Sequence, residues 1–130
     1  MATFVSATGI GVSDLSASEK FYADMLGMDS MQTIKASNMD EIVMGYKGTR
    51  SAAIVLMHFT DGSTPNYKNN PIKLVFMVED CAGTLDKIAA AGYTVVEEPK
   101  NYAAMGDMII GFAKDPDGYL IELMQKPEKN

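Results

Sequence analysis

The stretch that decides the fold is Asp115-Pro116-Asp117-Gly118-Tyr119-Leu120-Ile121-Glu122-Leu123-Met124. Its first four residues predict a tight turn, because Pro116 presets its own φ, Gly118 tolerates a positive φ, and aspartates accept hydrogen bonds from nearby backbone. The six residues that follow favour a β-strand and are apolar except for Glu122. A carboxylate in such a strand must be solvated, paired or bound to a cation, because burying it alone is costly. Glu122 is therefore either a functional residue or a charge with a dedicated partner.

The composition fits a single compact domain over residues 1–130, with 47% hydrophobic and 22% charged residues. A net charge of −6 argues against binding to nucleic acid or anionic membranes, which requires clustered Lys and Arg. The one cysteine, Cys81, cannot form an internal disulfide, and the first residues lack the pattern of a signal peptide. No apolar run reaches membrane-spanning length. We expect a cytoplasmic protein whose partners are small molecules.

The order of predicted elements repeats along the chain. The first module, about residues 4–59, reads as strand 4–12, helix 16–26 and strands 28–35, 41–46 and 52–59. A linker rich in Gly, Ser, Pro and Asn covers about residues 60–71. The second module, about residues 72–125, reads as strand 73–78, helix 82–91 and strands 93–98, 107–114 and 119–124. Two βαβββ modules of the α+β class predict a concave mixed sheet with the helices on the outside.

Three motifs carry a family resemblance that spans nearly the whole chain. They are Val12-Ser13-Asp14-Leu15 with Phe21-Tyr22 and Leu26-Gly27, then Val78-Glu79-Asp80, and finally residues 115–123. In this combination they resemble the vicinal oxygen chelate superfamily, which includes glyoxalase I, bleomycin-resistance proteins and extradiol dioxygenases. Small two-module members of that superfamily are commonly dimers, so the resemblance implies a homodimer. Whether the modules pair within one chain or across a dimer stays open.

The resemblance also implies where a metal would bind. Metal-dependent members place ligands at positions that correspond here to Ala7, Val55, Lys73 and Glu122. Only Glu122 is a ligand type, whereas a catalytic divalent site needs about three protein ligands. The one histidine, His58, lies three residues beyond Val55, so strand alternation turns its ring to the opposite face and we expect a surface or edge residue. We expect no cofactor, with a divalent metal on unrecognised ligands as the alternative.

Strand alternation predicts what lines the cavity instead. Small and thioether side chains face inward and indicate a wide apolar site for an organic ligand. The candidate ligand-binding residues are Ala7, Gly9, Val55, Met57, Met77, Met124 and, from a predicted lid loop at residues 99–106, Tyr102. Core filling is the alternative role for the methionines. Glu97 and Glu98 are expected to be solvated charges at a strand end, with a catalytic role as the alternative.

Lys73 and Glu122 form the candidate catalytic pair. The lysine ammonium could stand where the superfamily has its metal and pair with the carboxylate, either as a structural or anchoring pair or as an acid/base pair that stabilises an oxyanion and moves a proton. Two functions therefore stay open. One is a metal-free protein that sequesters a small, largely apolar molecule, as bleomycin-resistance proteins do. The other is a lyase or isomerase of the glyoxalase-like class.

Overall fold

A computed structural model describes residues 2–49 and 51–128. The chain divides into two compact units, one ending at Lys68 and one starting at Asn69. Each unit has the order βαβββ and contains one four-stranded mixed sheet and one α-helix. This confirms the prediction of an α+β fold built from two modules. Within the described residues, no helix is long and apolar enough to cross a membrane.

The first unit consists of β1 (Ala7–Gly11), α1 (Leu15–Leu26), β2 (Asp29–Lys35), β3 (Met39–Gly45) and β4 (Ala53–Phe59). Its strands lie in the order β1-β4-β3-β2, with β1 parallel to β4 and the other pairs antiparallel. The helix starts where the Asp14 side chain accepts a hydrogen bond from the Ala17 N–H at 3.1 Å. It ends at Gly27, whose φ of 68° only glycine adopts readily.

The second unit consists of β5 (Lys73–Met77), α2 (Cys81–Ala90), β6 (Val95–Tyr102), β7 (Met108–Lys114) and β8 (Leu120–Gln125), with a 3₁₀ turn at Ala103–Met105. Its strand order, β5-β8-β7-β6, repeats that of the first unit, again with one parallel pair between β5 and β8. The Asp80 side chain caps α2 by accepting from the Gly83 N–H at 2.9 Å.

One face of each sheet packs on the helix of its own unit. In the first unit, Ile10 and Leu56 are fully buried together with Phe21 and Tyr22, whose rings meet edge to face with centroids 5.1 Å apart. In the second, the fully buried apolar residues include Leu85, Ile88, Ile121 and Leu123. We call the opposite side of each sheet its helix-free face. The side chains available for binding and chemistry lie there.

The turn before β8 is built as the sequence predicts. The carboxylate Oδ1 of Asp115 accepts hydrogen bonds from the N–H groups of Asp117 at 3.0 Å and Tyr119 at 2.9 Å. Gly118 has a φ of 88° and donates its N–H to the Asp115 carbonyl at 3.0 Å. The Asn69 N–H donates to the Asp117 carbonyl at 3.0 Å. The turn therefore fixes the direction of β8, the strand that carries Glu122.

Two predicted boundaries differ most from the observed ones. β1 begins at Ala7 rather than at residue 4, and the side chains of Phe4 and Val5 are exposed. β6 runs on to Tyr102, so the predicted lid loop at residues 99–106 is strand over its first half. Pro99 is tolerated there because the register of β6 against β7 shifts between Glu97 and Lys100, and an irregularity of this kind does not require a ladder N–H.

Candidate functional site

The helix-free face of the second sheet carries Glu122 at its centre. Glu122 on β8 pairs directly with Val75 on β5 and with Phe112 on β7, and Phe112 in turn pairs with Glu97 on β6. Directly paired residues share a face of the sheet, so these four side chains form one row across it. The immediate neighbours of the carboxylate in this row are apolar.

Lys73 supplies the charge that Glu122 needs. It lies in β5 two residues before Val75 and opposite Leu120, so it is a diagonal neighbour of Glu122. Its Nζ lies 2.8 Å from Glu122 Oε1, and the side chains are 50% and 9% exposed, respectively. The ion pair therefore joins an almost buried carboxylate to an ammonium group that still reaches solvent.

In this geometry both charged groups keep hydrogen-bonding positions that the ion pair does not use. An ammonium group has three N–H donors, and a carboxylate has two acceptor oxygens. The contact between Nζ and Oε1 uses one of each. A ligand oxygen next to Lys73 would receive a hydrogen bond from a cation, and Glu122 would lie within the same neighbourhood as a proton acceptor. The pair can therefore anchor a ligand or take part in proton transfer.

A second ion pair lies at the far end of the same row. Lys100 Nζ is 2.7 Å from Glu97 Oε1, and the hydrogen bond with Glu97 raises the pKa of the Lys100 ammonium. Sequence reasoning treated Glu97 as a solvated strand end and missed this pair, which depends on the register shift in β6. It also missed Phe112, although the alternation of Met108, Ile110 and Phe112 along β7 was a usable signal.

The predicted ligand-binding residues of the first unit share the helix-free face of their sheet. Gly9 pairs with Val55 and Gly11 with Met57, while Ala7 pairs with Ala53 at the start of β4. A Cβ built on Gly9 would lie 3.1 Å from Met57 Sδ and 3.3 Å from Met57 Cε. The Met57 thioether therefore lies directly over Gly9, in the space that any larger residue would fill.

The remaining predicted ligand-binding residues belong to the second unit. Met77 and Met124 are direct partners at the ends of β5 and β8, two residues beyond Val75 and Glu122. The side chain of Met77 is 54% exposed, whereas Met124 is half-buried. Tyr102 is half-buried and pairs with Met108 at the end of β6, at a distance of two strands from β8. The second sheet thus brings Met77 and Met124 to the Glu122 neighbourhood and leaves Tyr102 near its edge.

His58 lies on the other face of β4, where its side chain forms a hydrogen bond with a backbone carbonyl group. Its Nδ1 lies 2.9 Å from the Val12 carbonyl oxygen, and its ring stacks on Tyr67 with centroids 5.7 Å apart. Because a carbonyl oxygen only accepts, Nδ1 is the protonated nitrogen. Tyr67 in turn accepts a hydrogen bond at its hydroxyl from the Phe59 N–H at 3.1 Å. The histidine therefore joins the end of β4 to the segment after it.

The residues at the positions implied by the superfamily do not fit a divalent metal. Ala7 and Val55 have no donor atom, and Lys73 is already hydrogen-bonded to Glu122. Over residues 2–49 and 51–128, the structure contains no cluster of three or more His, Cys, Asp or Glu side chains placed to hold a metal ion.

The position of Cys81 does not suit a nucleophile, because the side chain is buried. It is fully buried at the start of α2, where its N–H donates to Gln125 Oε1 at 2.8 Å and its thiol Sγ lies 3.6 Å from the Leu123 carbonyl oxygen. Burial raises the pKa of the thiol. A buried thiol with a raised pKa is unreactive, so Cys81 acts as part of the core.

Comparison with known proteins agrees with this fold. A family profile described as Glyoxalase/Bleomycin resistance protein/Dioxygenase superfamily matches residues 4–123. A probable lactoylglutathione lyase from Synechocystis sp. is 36% identical over 129 residues, which cover 97% of this chain and 98% of that protein. Among solved structures, a trypanothione-dependent glyoxalase I from Leishmania major has a TM-score of 0.79 and 23% identity, with coverage of 96% of this chain and 88% of that one. The antibiotic-binding protein TnmS3 from Streptomyces sp. CB03234 has a TM-score of 0.76 and 21% identity, with coverage of 97% and 98%.

Proposed function

Because the chain belongs to the Glyoxalase/Bleomycin resistance protein/Dioxygenase superfamily, we propose that it is a lyase or isomerase of the glyoxalase-like class that moves a proton on a small organic carbonyl compound. The observation that carries the proposal is the Lys73–Glu122 ion pair on the helix-free face of the second sheet. The 36% identity to a probable lactoylglutathione lyase supports the reaction class.

The two charged groups have distinct roles in the proposed reaction. The substrate carbonyl oxygen accepts a hydrogen bond from one of the Lys73 N–H groups that does not contact Glu122. The Glu122 carboxylate removes a proton from the carbon next to the carbonyl, and the electron pair of the broken C–H bond forms an enolate whose negative oxygen stays beside the ammonium. Where that carbon also carries a hydroxyl group, as in the adduct of a 2-oxoaldehyde with a thiol, the hydroxyl proton passes to the enolate oxygen and a new carbonyl forms at the carbon that lost its proton. The Glu122 carboxylic acid, whose proton exchanges with solvent, protonates the former carbonyl carbon. Glu122 recovers its charge, and the product is an isomer of the substrate.

Exchange of substrate protons with solvent tests this role even while the product is unidentified. The protein is incubated in D₂O with a panel of 2-oxoaldehydes, their adducts with thiols such as glutathione, and simple ketones, and deuterium uptake at carbon is measured by mass spectrometry. We expect uptake with at least one carbonyl class. Glu122→Gln should lower the rate at least about 100-fold, which is the lower range for loss of a general base.

Glu97→Gln is the matched control. Glu97 lies on the same face, in the same row and in its own lysine ion pair, but it has no role in the proposed reaction. The exchange rate of this variant should stay within about twofold of that of the parent. Equal rates for the parent and Glu122→Gln across the whole panel would contradict the proposed enzyme.

A second candidate function is sequestration of a small, largely apolar molecule, in which no bond changes. It is favoured by the exposed apolar side chains on β5, since Val75 and Met77 are 52% and 54% exposed on the helix-free face. Its binding residues are those predicted from the sequence, namely Ala7, Gly9, Val55 and Met57 in the first unit and Met77, Met124 and Tyr102 in the second. Equilibrium dialysis with planar apolar compounds tests it: saturable binding that survives Glu122→Gln, without deuterium uptake by any bound carbonyl, would favour sequestration over catalysis.

We further propose that the protein is a homodimer, as the resemblance implies, and that it is cytoplasmic, as its sequence composition and first residues lead us to expect. Sedimentation velocity of the purified protein measures its mass directly and should give twice the 14.1 kDa of one chain. A single species of one-chain mass at micromolar concentration would contradict the dimer.

A further inference from the structure

A cavity lies where β5 and β8 end, two residues and more beyond Val75 and Glu122 along the two strands. It is lined by Met77, Val78, Glu79 and Lys126 and has a volume of about 340 Å³. The Val78 N–H donates to the Met124 carbonyl at 2.8 Å, which holds the two chain segments together at the cavity. The volume lies at the lower end of the range for small-molecule sites. An amino acid or a compound of similar size is therefore an appropriate occupant.

The cavity presents two opposite charges that do not neutralise each other. Met77 pairs with Met124 in the parallel register, and Glu79 and Lys126, each two residues further along the chain, both line the cavity. Both side chains are exposed, yet within residues 2–49 and 51–128 neither forms an ion pair. Neighbouring charges of opposite sign that line one cavity without pairing are both available to a ligand.

The other two lining residues, Met77 and Val78, are apolar. Met77 is 54% exposed. A flexible thioether adapts its shape to aliphatic and aromatic groups alike. The cavity therefore matches a ligand that has an ammonium group, a carboxylate and an apolar group within a few bonds of one another.

We propose that this cavity binds a small zwitterion with an apolar side group, such as an apolar amino acid. The ligand ammonium lies beside Glu79, the ligand carboxylate beside Lys126, and the apolar group on Met77. Binding here does not depend on proton transfer at Glu122. Because both protein charges are exposed to solvent, the affinity is weak, with a Kd on the order of 1 mM.

Phenylalanine and two derivatives separate the two charge contacts. Phenylalanine has both charges, N-acetylphenylalanine has only the carboxylate, and phenylalaninamide has only the ammonium group. Each is titrated at low ionic strength into ¹⁵N-labelled protein, and Kd is taken from the shifts of the backbone amides of residues 77–79 and 126. We expect phenylalanine to bind about fivefold more tightly than either derivative, and added salt to weaken it.

Single charge removals then assign the orientation. Glu79→Gln should weaken phenylalanine and phenylalaninamide about fivefold and leave N-acetylphenylalanine unchanged. Lys126→Gln should weaken phenylalanine and N-acetylphenylalanine and leave phenylalaninamide unchanged. Glu98→Gln and Lys87→Gln make the same charge changes at exposed positions outside the cavity lining and should change none of the three affinities.

Two results would overturn the proposal. One is the absence of saturable shifts at the cavity with phenylalanine at tenfold the expected Kd. The other is equal weakening by the cavity variants and by their controls, which would indicate a general effect of net charge. Glu122→Gln separates this inference from the proposed enzyme, because that variant should lose proton exchange and keep phenylalanine binding.

Discussion

Glu122 and Lys73 are unequal partners, because the carboxylate is 9% exposed and the ammonium 50%. Removing the lysine leaves an almost buried charge without its counterion, whereas removing both leaves an apolar contact. We therefore expect Lys73→Met to lower the free energy of unfolding by about 1–3 kcal/mol. Lys73→Met combined with Glu122→Met should recover most of that loss. Urea titration followed by circular dichroism measures both effects.

Lys100→Met is the control for this comparison. It breaks the ion pair with Glu97, in which both side chains are more exposed, at 63% and 33%. Its effect on the free energy of unfolding should stay within about 0.5 kcal/mol. A Lys73→Met protein as stable as Lys100→Met would show that the buried carboxylate does not depend on its lysine.

Tyr46 links the end of α1 to β3 through a single hydroxyl. The hydroxyl donates to the Leu26 carbonyl at 2.7 Å, and burial, with a smaller contribution from Asp29, raises the pKa of the phenol above its ordinary 10.0. A folded-state pKa above the unfolded value gives stability that is complete below pH 10 and is lost as the pH rises through the folded pKa. Tyr46→Phe should cost about 1 kcal/mol at pH 7 and make the alkaline loss of stability less steep. Urea titrations at pH 7 and at several values above 10 test both statements.

Among single residues, those placed by strand alternation and family resemblance could be predicted, whereas those placed by irregular backbone could not. The shared face of Lys73 and Glu122 follows from the parity of two regular strands. The Glu97–Lys100 pair depends on a register shift that no local pattern predicts, because an irregular strand breaks the period of two.

At the scale of one element, the turn at Asp115–Gly118 should tolerate substitution poorly. Gly118 has a φ of 88°, and a Cβ there would collide with the Asn69 side-chain oxygen. Gly48 has a φ of 79° but nothing within 4 Å, so it isolates the backbone cost. We expect Gly48→Ala to lose about 1–2 kcal/mol of unfolding free energy and Gly118→Ala clearly more. Equal losses in urea titration would mean that Asn69 moves aside without cost.

The two helices could be predicted because residues at their ends mark where they start and stop. Asp14 and Asp80 cap the two helices, and Gly27 ends the first; aspartate and glycine are residue types that favour these positions. β6 was predicted too short because Pro99 indicates a loop, and only pairing with β7 across two register shifts shows that the strand continues. Contacts distant in sequence decide such cases.

At the scale of the whole molecule, the repeated order of elements could be predicted from the sequence, because turn and helix-end residues separate the elements of each module. The same strand order in the two sheets, with one parallel pair in each, is the structural form of that repeat. The cavity lined by Glu79 and Lys126 was not readable, since it depends on how two chain ends leave a sheet. A local sequence pattern is thus enough to place a strand, whereas a ligand cavity depends on how separate segments of the chain come together.

The burial of Cys81 turns the molecule into its own unfolding reporter. A thiol reagent can modify this sole cysteine only in molecules whose second unit has opened, and each event adds one adduct to the intact mass. We expect the alkylation rate at fixed pH to rise with urea in parallel with the unfolding equilibrium. Ultraviolet absorbance of ionising Tyr46, set against the Tyr46→Phe protein, follows the first unit in the same samples. Coincident midpoints would mean that the two halves of the repeat melt as one cooperative body, and separate midpoints that each half keeps a stability of its own.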